Sequence, residues 1–428
     1  MTTILVFAIL ALTLATGTPI AIAMAATVML SITFFTNVPL LVVVQQMFGA
    51  ADSFALMAIP MFVLSGNIMT AGGLSKKLIR IATDVFGPLP GGLAIAATAA
   101  CAFFAAISGS SPATVAAIGS IMIPALMKAK YDEKFSIGVV TAAGSLGILI
   151  PPSIPMVVYC LATGEAIGKL FLAGVLPGLL LAAIFAVQCY IAGSKKGFER
   201  MPRPSLKELS VSFRDGVWGL IMPVIVLGGI YTGVFTPTEA AAVAVIYSAI
   251  VGSFIYKDIK PRDYIAILRD SAAVSAMIMF IICAAAAFSW FLTSQSIPQG
   301  VATWLTSVTP QPWMFLLAVN AMLLIVGCFM EPNSAILVLA PLFLPVVQKM
   351  GIDPIHFGII MIVNLELGML TPPLGLNLFV SAGMTGFPLE RVVKSVVPFM
   401  LSMLAFLLVI TFVPTVSTIL PAMLSNTR

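Results

Sequence analysis

Residues 144–153 read GSLGILIPPS and residues 366–375 read ELGMLTPPLG, each placing a Pro-Pro pair inside a long apolar run. Proline has no N–H to return to the carbonyl four residues back. Pro151 and Pro152 therefore free the carbonyls of Gly147 and Ile148, and Pro372 and Pro373 free those of Gly368 and Met369. The expectation is two helices broken in mid-run, with bare carbonyls and with hydroxyls close by at Ser145, Ser153 and Thr371.

The surroundings of these breaks are a lipid-spanning chain. Of 428 residues, 60% are hydrophobic and 9% charged, against roughly 25% charged in a soluble chain. No soluble domain is expected. At about 20 apolar residues per crossing, the length allows roughly ten spans. The opening MTTILVFAILALTLATGTP has no Lys or Arg ahead of its apolar run and reads as a first span, not a cleaved signal. Cys101, Cys160, Cys189, Cys283 and Cys328 lie in apolar runs without CxxC spacing, so neither a disulfide framework nor a zinc site is indicated and they read as packing residues. One His, with no HExxH, GxSxG or phosphate-binding glycine loop, leaves no reagents for an ATPase or protease. The net charge of +5 falls in gaps between spans, so it describes topology and not nucleic-acid binding.

The densest basic stretch, Lys195, Lys196, Arg200, Arg203, Lys207 and Arg214, is placed in the cytoplasm by the positive-inside rule. Lys76, Lys77 and Arg80, then Lys128, Lys130 and Lys134, then Lys257, Lys260, Arg262 and Arg269, and finally Arg391 and Lys394 should share that side. Spans near 3–17, 19–36, 54–74, 135–163 and 170–193, and near 217–235, 237–256, 271–293, 355–387 and 395–420, satisfy all of them, with both termini outside. The apolar segments 91–128 and 312–349 must then enter and leave on one side. Their centres, AISGSSPATV and GCFMEPNSAI, are polar and helix-breaking. Both are expected to be re-entrant hairpins whose tips face a site, because irregular backbone at that depth survives only against protein or a wet cavity.

A shift of 221 residues lays Pro124 on Pro345, Gly147 on Gly368, Pro151 and Pro152 on Pro372 and Pro373, and Pro177 on Pro398. A shift of 218 lays GTPIAIAMA on FTPTEAAAV. Five crossings per half make the second copy inverted. Inverted repeats with paired broken helices mark secondary transporters, and the breaks point to the binding site.

Carbonyls and hydroxyls at such breaks are the oxygen ligands offered to sodium. Two pseudo-symmetric sodium sites are expected. The first draws on Ser108, Ser110 and Ser111 at the tip and on Gly144, Ser145, Gly147, Ile150 and Pro152 at the break. The second draws on Gly327, Glu331, Asn333 and Ser334 with Asn364, Gly368, Thr371 and Leu374. Ser153, Glu366 and Asn377 are the candidates for substrate contact. No catalytic residue or cofactor is expected, sodium serving only as coupling ion. Asp52, Glu239, Glu331 and Glu366 stand in or beside apolar segments, where a carboxylate is a functional hypothesis by default. Glu239 sits where it complements a helix start, His356 is expected at the interface, and the counterpart of Glu366 is the uncharged Ser145.

Together, GSLGILIPPS, GIYTGVFTPTEAAAVAV, SGSSPATVAAIGSIMIP and NLELGMLTPPLGLNLFV resemble the large membrane subunit of tripartite ATP-independent periplasmic (TRAP) transporters over essentially the whole chain. The resemblance implies an all-α polytopic protein of the bacterial inner membrane with an elevator-type fold. It implies sodium-driven symport of an organic acid, of the sialic acid or C4-dicarboxylate kind, delivered by a periplasmic substrate-binding protein. It implies a small four-helix membrane partner as a separate chain. On that mapping 1–193 is the first repeat, with scaffold spans 1–90 and transport-domain elements 91–193, and 194–215 is a cytoplasmic basic linker. The second repeat is 216–428, with scaffold spans and arm in 216–270 and transport-domain elements in 271–428. Lateral arms are expected at 39–53 and 258–270, the latter DIKPRDYIAILRD. Two other readings stay open: a stand-alone sodium/carboxylate symporter, and a channel or assembly scaffold without sodium dependence.

Overall fold

The computed structural model describes residues 2–36, 38–309, 311–373 and 375–425. The first repeat runs through α1 (Thr2–Ala15), α2 (Ile20–Phe35), α3 (Leu41–Ala51), a 3-10 turn (Phe54–Met57) leading into α4 (Ala58–Ala71), and α5 (Leu74–Phe86). It continues with the hairpin α6 (Gly92–Ser108) and α7 (Ser111–Lys128), the broken helix α8 (Glu133–Ala143), α9 (Leu146–Leu149) and α10 (Ile154–Thr163), and α11 (Ile167–Lys196). The second repeat runs through α12 (Leu206–Tyr231), α13 (Pro237–Ile250) with a π turn (Val251–Ile255), α14 (Asp263–Ser294) and α15 (Ile297–Val308). Its hairpin is α16 (Pro312–Gly327) and α17 (Pro332–Lys349), its broken helix α18 (Pro354–Met369) and α19 (Leu376–Thr385), followed by α20 (Leu389–Phe412) and α21 (Thr415–Ser425). Among the described residues every regular element is helical, and nine stretches are long and apolar enough to cross a membrane.

The helix starts follow local chemistry. Ser205 with Glu208, and Thr236 with Glu239, form reciprocal capping boxes at α12 and α13, so Glu239 serves its own helix. The hairpins then exchange partners between repeats: α7 packs on α19, and α17 on α10. Where α10 meets α18, the Tyr159 hydroxyl donates to the Pro354 carbonyl at 2.6 Å, and the Tyr159 ring lies where a side chain on Gly358 would be.

Four ion pairs connect the basic gaps. Lys77 pairs with Asp258 at 3.2 Å, Arg80 with Asp215 at 3.6 Å, Lys196 with Asp132, and Arg391 with Glu133 at 3.2 Å. Exposed pairs of this kind contribute little stability. Their value is positional, because they join all five basic gaps at one end of the molecule.

The structure departs from the sequence reading in several places. No separate arm forms over 258–270, because 263–294 contains neither Gly nor Pro and folds as the single 32-residue helix α14. That helix packs along α2, α3 and α4 and also meets α17. In the first repeat α3, which covers most of the stretch 39–53, is a separate helix that ends at its C-cap Asp52. The apolar run ending near 420 divides at Val413–Pro414 into α20 and α21. His356 is buried in protein, 2% exposed, with Nδ1 2.6 Å from Ser417 Oγ on α21.

Candidate functional site

The tip of the first hairpin turns at Gly109, whose φ of 59° is left-handed and natural to glycine. Ser108 Oγ lies 2.9 Å from Thr114 Oγ1, and Thr114 donates to the Ser110 carbonyl at 2.8 Å. The tip docks on the first break through Ile154 N–H to Gly109 O at 3.3 Å. Gly147 lies so close that a Cβ there would come within 2.5 Å of the Ser110 carbonyl oxygen. At Gly144 a Cβ would meet the Val115 side chain. Ile150 takes an extended conformation, as a residue before proline does.

The second tip is organised by Glu331, which caps α17. Its Oε2 accepts from Ser334 N–H at 3.2 Å, while Oε1 accepts the Asn333 amide. Gly327 and Gly368 meet backbone to backbone. Asn364 instead donates to Asn320 Oδ1 at 2.7 Å, and Asn320 to Thr411 at 2.8 Å. Thr371 donates back to Leu367 O at 2.8 Å. Leu374 lies outside the described residues.

Two of the four carbonyls expected to be bare are not. Ile148 O accepts the Ser153 hydroxyl at 2.6 Å, and Gly368 O accepts Thr371 N–H at 2.9 Å. The chain closes a short turn before the second proline pair, and a side chain replaces the missing donor at the first.

The two tips converge on one cavity of about 290 Å³. Ser108, Gly109, Ser110, Pro112 and Ala113 line it from the first tip, and Glu331, Pro332 and Asn333 from the second. Asn67 and Thr70 of α4, and Val274, Met277 and Ile278 of α14, form the opposite side. Glu331 is the one charged side chain among the lining residues, and the N-termini of α7 and α17 both reach the cavity. Ser153, Glu366 and Asn377 are not among the lining residues. Glu366 and Asn377 instead join a buried cluster in which Glu366 Oε1 accepts Ser111 Oγ at 2.6 Å and Asn377 Nδ2 at 2.9 Å. Sequence reasoning missed Asn67, Thr70, Thr114 and Asn320. Asn67 and Thr70, three residues apart in an apolar span, were the available signal.

Asn67 Nδ2 donates to Ser271 Oγ at 2.8 Å, joining α4 to α14 beside the cavity. Asn67→Leu removes that bond and leaves Ser271 Oγ without its donor, so it is expected to cost about 1 kcal/mol and lower Tm by a few degrees. Thermal denaturation of the purified protein checks this, and an unaltered Tm would mean that the α4–α14 contact does not depend on the pair.

Two re-entrant hairpins and two broken helices closing on one cavity define a polytopic helical transporter. Residues 7–416 match the family described as tripartite ATP-independent periplasmic transporter, DctM component, and the chain belongs to that family. It is 52% identical, over 88% of each chain, to the C4-dicarboxylate TRAP transporter large permease protein DctM of Pseudomonas aeruginosa. It is 43% identical to the protein of the same name from Rhodobacter capsulatus, covering 99% of this chain and 100% of that one. The crystal structure of the Alcanivorax borkumensis YdaH transporter superposes with a TM-score of 0.64 over 90% of this chain and 88% of that one, at 17% identity, a likeness of fold. The chain is thus a multi-pass inner-membrane protein, the large permease component of a tripartite system.

Proposed function

We propose that this permease couples inward sodium movement to uptake of a C4-dicarboxylate, received from a periplasmic binding protein, in complex with a small four-helix membrane subunit. The observation that carries the reading is the single cavity on which both hairpin tips and the α4–α14 face converge. The uncapped N-terminus of α7 offers partial positive charge and N–H groups to one carboxylate of such a substrate, while that of α17 is already capped by Glu331. The Ser110 hydroxyl and the second amide hydrogens of Asn67 and Asn333 supply further donors around the same space. The names of the two relatives favour a C4-dicarboxylate over a sialic acid.

Charge supports coupling to a cation. The lining residues include one carboxyl side chain, Glu331, and no Lys, Arg or His. An anionic substrate beside it requires a cation that travels with it. The oxygens of both tips and breaks are the proposed sodium ligands, and the half of the molecule bearing them moves past α4 and α14 as an elevator.

Uptake of a radiolabelled C4-dicarboxylate into proteoliposomes containing this chain and its small partner is the test. Uptake is expected to vanish when either the inward sodium gradient or the binding protein is withdrawn. Uptake persisting without the binding protein would favour the stand-alone symporter, and uptake indifferent to sodium would remove the coupling.

A further inference from the structure

The cluster around Glu366 has oxygen atoms to spare. Glu366 on α18 is 1% exposed, and Ser145 at the first break and Asn377 on α19 are 0% exposed. Only Oε1 of Glu366 is hydrogen-bonded, by Ser111 Oγ at 2.6 Å and Asn377 Nδ2 at 2.9 Å. Its Oε2, the Asn377 Oδ1 and the Ser145 Oγ have no geometrically complete hydrogen bond, although Ser145 faces the same carboxylate. Among the described residues no Lys, Arg or His pairs with Glu366.

A glutamine would accept the same two hydrogen bonds. What the carboxylate adds is a negative charge and a second acceptor oxygen; the charge has no opposite charge beside it, and the oxygen has only the facing Ser145 hydroxyl, short of a complete hydrogen bond. A buried charge without an opposite charge is strongly unfavourable, and an ionisable group held in a membrane interior marks a functional site. These three oxygens, none with a complete hydrogen bond, are hard ligands of the kind that bind sodium at broken helices.

We infer that Glu366, carried by the second repeat, is a ligand of the sodium site at the first repeat's hairpin and break, shared with Ser145 and Asn377. The inference rests on the sodium-coupled reading of the chain. It also accounts for the broken symmetry, because Glu366 and Ser145 occupy equivalent positions of the two repeats yet face one another. The site is closed only when both repeats are in place.

The test is sodium-dependent thermal stabilisation of the purified complex of this chain with its small membrane subunit, at constant ionic strength set with choline chloride. In Glu366→Gln the sodium concentration for half-maximal stabilisation is expected to rise tenfold or more, while Tm without sodium stays equal or rises because the unneutralised charge is gone. A purely structural tie predicts the reverse, with an unchanged sodium midpoint. If Glu366→Gln yields no folded complex, Ser145→Ala decides, with the same rise in midpoint expected. A wild-type midpoint in the deciding variant overturns the inference and leaves sodium coupling standing. No sodium response in the unmutated complex overturns both.

Discussion

Gly368→Ala is expected to abolish uptake and lower Tm by a few degrees. A Cβ at this position would lie 2.4 Å from the carbonyl carbon of Gly327, 2.5 Å from its Cα and 2.7 Å from its oxygen. All three are backbone atoms, so no rotamer change relieves the contact, and α16 must separate from α18. Overpacking of that kind costs about 1–3 kcal/mol, which corresponds to a few degrees in Tm for a chain of moderate size. Function should suffer more than stability, because α16 ends at the tip that holds Glu331. The first repeat repeats the argument, since a Cβ on Gly147 would lie 2.5 Å from Ser110 O and 2.7 Å from Thr114 Oγ1. Gly383→Ala is the control, with no atom within 4 Å of its added Cβ. Uptake and thermal denaturation of the three variants check the prediction. Wild-type uptake in Gly368→Ala would mean that the tip and the break need not approach so closely in the working protein.

The breaks and hairpins were legible because helix interruption is written locally. Pro151, Pro152, Pro372 and Pro373 remove donors, and the tip sequences SGSSP and MEPNS cannot continue an apolar helix. The side shared by the basic gaps was legible for a similar reason, charge being excluded from the apolar spans. The continuity of α14 was also available, since 263–294 lacks both helix breakers, but the charge-flanked amphipathic stretch DIKPRDYIAILRD was read as an interfacial arm. The cavity was not legible. Asn67 and Ser271 are 204 residues apart, and Ser111 and Glu366 are 255 apart, and nothing in either local sequence says which partner it meets. Symmetry helped to locate equivalent residues but gave no indication that Glu366 faces its own counterpart's neighbourhood. Hydrogen bonding at the breaks was misjudged for a further reason, because Ser153 and the Thr371 N–H replace lost donors within the same short turn.

Glu331→Gln is expected to flatten the dependence of substrate affinity on sodium, by tenfold or more across the working range of sodium. Glu331 is the one carboxyl side chain among the cavity's lining residues, and when ionised it brings their one negative charge. Two unit charges about 5 Å apart repel by roughly 3 kcal/mol at an effective dielectric constant near 20, so an anionic substrate is held off until a cation sits between them. Sodium bound at the second tip would provide that cation and so bind before the substrate. Glutamine keeps an oxygen to accept from Ser334 N–H, now 3.2 Å from Glu331 Oε2, so α17 remains capped while the repulsion disappears. Substrate should therefore bind the variant more tightly without sodium and gain less from adding it. Glu331→Ala separates the two roles of the side chain, since it also removes the cap at a cost of about 1 kcal/mol and should lower Tm where Gln does not. Titration of substrate binding to the purified complex at several sodium concentrations reads the effect directly. If the Gln variant retained the wild-type sodium dependence, the charge that sodium answers would have to lie elsewhere, and the cation would not be bound at this tip.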